Sequence, residues 1–173
     1  MAILEVRKFP DKILRQKAQP VDIITDSELR LIRDMFDTLY FANGVGLAAP
    51  QVGVLKRIIV CNPTGKRTDE LAIINPKIIY QKGKVIKDCE GCLSIPTMTG
   101  EVARFSKIGV SGKGLNGRDF VVDTENLLAR IVAHECDHLD GILFIDRLGF
   151  LKKKILIHNY KKKLGLGCVG RWY

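Results

Sequence analysis

Two of the three histidines in this 173-residue chain stand four residues apart, in His134-Glu135-Cys136-Asp137-His138. On a helix, positions i and i+4 share a face, so both imidazoles can reach one metal ion. The Glu after the first His then sits beside a water at that ion, placed for proton transfer. Leu127, Ile131, His134 and His138 follow at i, i+4, i+7 and i+11. The pair therefore continues an apolar stripe, and the chemistry falls where the helix meets the core.

A hydrolytic metal site takes three protein ligands and keeps one position open. Downstream, the sequence offers few candidates. Gly141 suits an extended H-E-x-x-H-x-x-G-x-x-H pattern, but Phe144 stands where its last His would be, and no Glu follows Glu135. His158 lies between two Lys triplets, on a segment expected to be exposed. Upstream, Cys89-Glu90-Gly91-Cys92-Leu93-Ser94 supplies thiolates, which suit borderline ions such as Fe²⁺, Zn²⁺, Ni²⁺ or Co²⁺. Two readings stay open on spacing alone. If Cys89 and Cys92 both bind, the site is a closed Cys₂His₂ structural centre; if only Cys92 binds, it is an open, hydrolytic one. Glu135 favours the second, because a closed site has no use for a carboxylate aimed at a missing water.

The elements that must position these residues are legible in outline. Asp22 to Tyr40 reads as a first helix, with a Thr25-x-x-Glu28 capping box and an apolar face of Ile32, Met35, Phe36 and Leu39. A glycine-rich stretch, Gly44-Val45-Gly46-Leu47-Ala48-Ala49-Pro50-Gln51, follows it. The middle holds short β-branched runs at Arg57–Cys61, Leu71–Asn75, Lys77–Tyr80, Lys84–Lys87, Ile108–Ser111 and Asp119–Val122. Turn residues at Asn62-Pro63, Asn75-Pro76, Lys82-Gly83 and Asn116-Gly117 are expected to separate them. Asn116-Gly117 is the strongest hairpin signal. Hairpins without intervening helices imply an antiparallel, α+β architecture. A second helix is expected from about Thr124 to Leu139, capped by Asp123 or Thr124. A third is expected from Leu148 to Leu164, ended by Gly165 and Gly167.

Composition narrows the classes. At 46% hydrophobic and 27% charged residues, wholesale disorder is excluded, and the length suits one domain. No apolar run approaches the roughly 18 residues of a membrane span, and the N-terminus reads as lacking a secretion signal. Five cysteines (61, 89, 92, 136 and 168) make an odd number in a chain of this size, which suggests reduced thiols and a cytoplasmic location. Of the formal +9 charge, seven basic residues and no acid lie between Lys152 and Tyr173, so the body is nearly neutral. Such a run is a solvated face or a dock for a polyanion without sequence-specific contacts. Three functions compete on these features: an amidase-type metallohydrolase, an H-E-x-x-H peptidase, and a zinc-stabilised module that binds nucleic acid through its tail.

Three segments resemble the peptide deformylase family, in that family's order. Gly44-Val45-Gly46-Leu47-Ala48-Ala49-Pro50-Gln51 is similar to its G-x-G-x-A-A-x-Q motif, Glu90-Gly91-Cys92-Leu93-Ser94 to E-G-C-x-S, and His134–His138 to H-E-x-x-H. The resemblance runs from about residue 3 to Arg147, and Pro10-Asp11-x-x-Leu14-Arg15 belongs to it. It implies a catalytic domain over 1–147 and a basic C-terminal helix and tail over 148–173. The implied fold is α+β, with antiparallel β-sheets around a central helix that carries H-E-x-x-H. It implies one divalent metal ion, Fe²⁺ in the cell, held by Cys92, His134 and His138. Glu135 would be the general acid/base, and Gln51 and the Leu93 N–H would stabilise the oxyanion. Gly44, Val45, Gly46, Gly91, Leu127 and Ile131 would meet the substrate, the N-formyl-methionyl end of a nascent polypeptide, and Arg104 would either sit at the rim of that pocket or pair with Glu90. The C-terminal helix would dock on the ribosome. The chain departs from the family pattern at Ala133, where Gln is common, at Cys89, where an acid is common, and at Arg130, a place often apolar.

Overall fold

The computed structural model describes residues 2–164, so Gly165, Gly167, Cys168 and Arg171 lie outside the described residues. Helix α1 spans Asp26–Phe41 and begins where its cap dictates. The Ser27 N–H donates to Thr25 Oγ1 at 3.2 Å, and the Thr25 N–H donates to Glu28 Oε2 at 2.8 Å. The capping box thus starts the helix at Asp26, four residues later than the expected Asp22, because the N-cap must itself be extended. Five strands follow: β1 (Gly46–Ala48), β2 (Ile58–Cys61), β3 (Leu71–Cys92), β4 (Ile95–Lys113) and β5 (Asp119–Glu125). Then come α2 (Asn126–Leu139), a 3₁₀ turn at Phe144–Arg147, and α3 (Phe150–Lys163).

The strands form one antiparallel sheet in sequence order, β1 to β5, so the expected sheets are a single continuous ladder. Two expected breaks are bulges inside β3. Asn75 at φ 53° and Gly83 at φ 79° accompany register shifts between Ile74 and Lys77 and between Lys82 and Val85. A bulge absorbs the donor that Pro76 lacks without ending the strand. The Asn75 side chain is fixed there, accepting from the Val21 N–H and donating to the Val21 carbonyl, each at 2.8 Å. The Asn116-Gly117 turn joins β4 to β5 as the sequence indicates, with Lys113 opposite Asp119. The strand then continues past Val122 to Glu125. Thr124 Oγ1 donates to the Ile108 carbonyl at 3.2 Å, so neither Asp123 nor Thr124 caps α2, which starts at Asn126.

Helix α2 contacts all five strands. Its Ala129, Val132 and Leu139 pack with Ile59, Ile73 and Val110. A second cluster joins Ile32, Met35 and Leu39 of α1 to Leu47, Ile58 and Val60. A third holds Leu14, Ile95, Val102, Phe144, Leu156 and Tyr160, so α3 is seated on the body through two buried residues. No described helix is long and apolar enough to cross a membrane.

Candidate metal centre and catalytic cleft

Helix α2 and the tip of the β3–β4 hairpin bring the candidate chemistry together. Cys92 ends β3, Ile95 opens β4, and the two are paired across a turn at Leu93-Ser94. The sulfur and the ring nitrogens of Cys92, His134 and His138 lie within 4.8 Å of one another. Cys92 Sγ is 3.2 Å from His138 Nε2. His134 turns Nδ1 toward Glu90 Oε2 at 2.9 Å, which leaves its Nε2 for the shared point. His138 Nδ1 is buried without a hydrogen-bond partner among the described residues, as is Glu135 Oε2. Two imidazoles and one thiolate are the donor set a borderline divalent ion takes with one position left for water, and an orphaned carboxylate oxygen lies beside them for proton transfer, so the residues fit such an ion.

Electrostatics at the centre follow from burial against close partners. Burial opposes ionisation of Cys92, but His138 and His134 outweigh it and hold the thiol well below its ordinary range. Burial opposes the charge on His134 too, and Cys92 and Glu90 reverse that, raising it well above an ordinary imidazole. The buried Glu135 carboxyl is pushed up to about 7, with His134 and His138 pulling the other way.

Beneath the centre lies an ion network of which the sequence offered only the Arg104–Glu90 pair, as one of two alternatives. Glu90 is 5% exposed and accepts from Arg104 Nε at 2.8 Å, Arg104 Nη2 at 2.9 Å and Arg130 Nη1 at 2.8 Å, besides holding His134. Arg104 continues to Asp137 at 2.7 Å, which Arg147 also grips. Arg130 donates further to the Val102 and Ile86 carbonyls, tying α2 to both long strands. Each buried charge has an opposite partner, without which its desolvation would be prohibitive. The signal available in advance was the acid inside each motif, Glu90 and Asp137; the Arg residues that meet them come from distant positions.

A cleft of about 620 Å³ opens on the centre. Gly44, Val45, Gly46, Gln51, Gly91, Cys92, Leu93, Leu127, Ile131, His134 and Glu135 line it; His138 lies behind, and Arg104 lies below in the network rather than in the wall. Val45 and Leu127 are 43% and 51% exposed and form an apolar rim, while Ile131 is buried. Cys89 and Arg130 also face the cleft, as does Lys8. Gln51 is clamped, its Oε1 accepting from the Ala48 N–H at 2.8 Å. That fixes its amide so that Nε2 donates to Ser94 Oγ at 3.2 Å and lies 3.5 Å from Cys92 Sγ. Gly46 leaves the space Glu135 needs, since a Cβ there would overlap Glu135 Oε1 and lie 2.7 Å from Ile131 Cγ2.

A thiol and two imidazoles around one point, with a buried carboxylate lining the same apolar-rimmed cleft, make a candidate centre of hydrolytic type within an α+β fold. Comparison with known proteins places the chain in a family. Residues 3–154 match the model of the polypeptide deformylases. The chain is 42% identical over 165 residues to the peptide deformylase of Thermodesulfovibrio yellowstonii, covering 94% of this chain and 99% of that one. It is 51% identical over 148 residues to that of Halothermothrix orenii, covering 86% and 95%. The crystal structure of a peptide deformylase from Legionella pneumophila superposes with a TM-score of 0.90 at 39% identity, covering 98% of this chain and all of that one. One from Synechococcus elongatus, in complex with actinonin, gives 0.88 at 38% identity, covering 97% and 91%. This chain belongs to the peptide deformylase family, whose members remove N-formyl groups.

Proposed function

We propose that this protein hydrolyses the formyl amide of formyl-methionyl nascent polypeptides, releasing formate, with a divalent ion held by Cys92, His134 and His138. The observation that carries the reading is Glu135, whose buried Oε2 has no hydrogen-bond partner among the described residues and whose side chain lines the same cleft as Cys92 and His134. The ion, Fe²⁺ in the cell, would polarise the formyl carbonyl and acidify water. Glu135 takes the proton from the attacking water and delivers it to the amine nitrogen as the C–N bond breaks. A carboxyl near neutral pKa suits both halves of that transfer. Gln51 Nε2 and the Leu93 N–H donate to the oxygen on which negative charge develops, and one such donor is typically worth about 3 kcal/mol. Val45, Leu127 and Ile131 take the methionine side chain. Gly44, Gly46 and Gly91 let the peptide backbone approach as an added strand. Arg104 serves through Glu90, not by touching substrate.

The catalytic unit is residues 1–147, and 148–173 form the basic segment that docks on the ribosome, in the cytoplasm. The deciding experiment is formate release from formyl-Met-Ala-Ser by protein of measured metal content, beside a casein digest. Formate in proportion to bound metal supports the reading. Casein cleavage without formate would make the protein a peptidase, and neither product would leave a structural zinc module.

A further inference from the structure

The segment Arg7–Phe9 bridges the two pieces of chain that the proposed function assigns to the oxyanion. The Arg7 N–H donates to the Gln51 carbonyl at 2.7 Å, and the Phe9 N–H donates to the Ser94 carbonyl at 2.8 Å. Between them, Lys8 Nζ donates to the Leu93 carbonyl at 2.7 Å from the wall of the cleft. That carbonyl shares a peptide unit with the Ser94 N–H, which points at Cys92 Sγ at 3.4 Å. A cation on an amide oxygen draws electron density along the amide and makes its N–H a stronger donor. The relay therefore runs from ammonium to carbonyl, through the amide to its N–H, and on to sulfur. Partial burial lowers the Lys8 pKa, and Cys92 pulls it the other way. No carboxylate of the described residues pairs with Lys8, so its charge is not cancelled locally.

We propose that Lys8 is a positioning residue that tunes the Cys92 thiolate through the Leu93–Ser94 peptide unit and holds that unit, with the Leu93 N–H beside it, in the geometry the reaction needs. The inference rests on the reading of Cys92 as a ligand and Leu93 as a donor. A thiolate that accepts a stronger hydrogen bond gives less density to its ion, leaving the ion a better Lewis acid. Nothing in the three motifs announces this role, since Lys8 lies 84 residues before Cys92.

The test uses the cobalt-loaded full chain as wild type, Lys8→Met and Lys8→Arg. Three quantities are read: the sulfur-to-cobalt charge-transfer band, kcat and KM for formyl-Met-Ala-Ser, and Tm. Lys8→Met should move the band to lower energy and reduce kcat roughly threefold to tenfold, a tenfold loss being about 1.4 kcal/mol, with KM and Tm nearly unchanged. Lys8→Arg should restore both band and kcat. An unmoved band, a change confined to KM, or a loss of Tm that arginine does not rescue would each overturn the proposal, the second because Lys8 would then be touching substrate. A wild type with the band but no formate would overturn the proposed function instead, with the Lys8 effect on the band still measurable.

Discussion

At the scale of single residues, the proposed centre separates into atoms that would hold an ion and an atom that would transfer a proton. Glu135 makes no contact that would hold an ion's ligands in place, so Glu135→Ala should keep stoichiometric metal while activity falls about 10²–10⁴-fold. Metal analysis beside the formate assay checks this, and metal loss equal to that of His134→Ala would make Glu135 a ligand. Cys89 and Cys92 divide in the same way. Cys89 is exposed and Cys92 sits against His138, so Cys92→Ser should lose metal or activity and Cys89→Ser should keep both within a few-fold. Equal losses would restore the closed Cys₂His₂ centre. Gly46 carries a third expectation. Its Cβ would claim space that Glu135 Oε1 and Ile131 occupy, in a core without slack. Gly46→Ala should therefore displace the carboxylate, lowering kcat/KM about tenfold to a hundredfold at a folding cost of about 1–3 kcal/mol. Kinetics beside a denaturant titration would separate the two effects, and unchanged kinetics would show that Glu135 has room to spare.

At the scale of elements, the molecule depends on joints more than on strands or helices taken singly. Asp146, in the 3₁₀ turn before α3, accepts from Arg15 near the N-terminus, from Lys153 of α3 at 2.7 Å and from the Leu143 N–H at 2.8 Å. Burial raises its pKa, but these partners outweigh that and bring it down to about 2. A carboxylate with a depressed folded pKa contributes stability that is present above its unfolded value and lost as pH falls through the folded one. The window is therefore from about pH 4 down to about pH 2. Because the group is partly exposed, Asp146→Asn should cost about 1–2 kcal/mol at pH 7. Urea titrations of both proteins should show that difference shrinking below pH 4. A constant difference across the range would mean that Asp146 acts by shape and not by charge.

At the scale of the whole molecule, α3 is both a part of the core and a source of charge. Leu156 and Tyr160 are buried against the body, so removing α3 would expose apolar surface and confuse docking with unfolding. Two of its lysines are already committed, Lys152 to Glu101 at 3.0 Å and Lys153 to Asp146. Among the described residues of α3, the positive surface offered to a polyanion therefore comes from Lys154, Lys162 and Lys163 rather than from whole triplets. If α3 docks on ribosomal RNA, changing these three to Gln should weaken co-sedimentation with ribosomes, most at low salt. Each phosphate that the helix ceases to neutralise lowers the salt slope by about one. Turnover of a short formyl peptide should stay the same. Undiminished co-sedimentation would place the dock elsewhere.

The groups proposed to do chemistry are legible in the sequence wherever they depend on local periodicity. His134, Glu135 and His138 declare themselves because one turn of helix brings i and i+4 to the same face. The capping box at Thr25 and the turn at Asn116-Gly117 were legible for the same reason, since each is decided by a few adjacent residues. The β3–β4 hairpin was not. Pro76 and Gly83 read as strand breakers, and only pairing with β4 shows that they are bulges in one long strand. The choice between Cys89 and Cys92, the burial of Arg104 away from the cleft, the gathering of Arg104, Arg130 and His134 on Glu90, and the contact of Lys8 with Leu93 all join segments far apart in the chain. Residue types and spacing name the groups able to do chemistry. Which of them share a point in space depends on long-range pairing and burial, which local pattern does not encode.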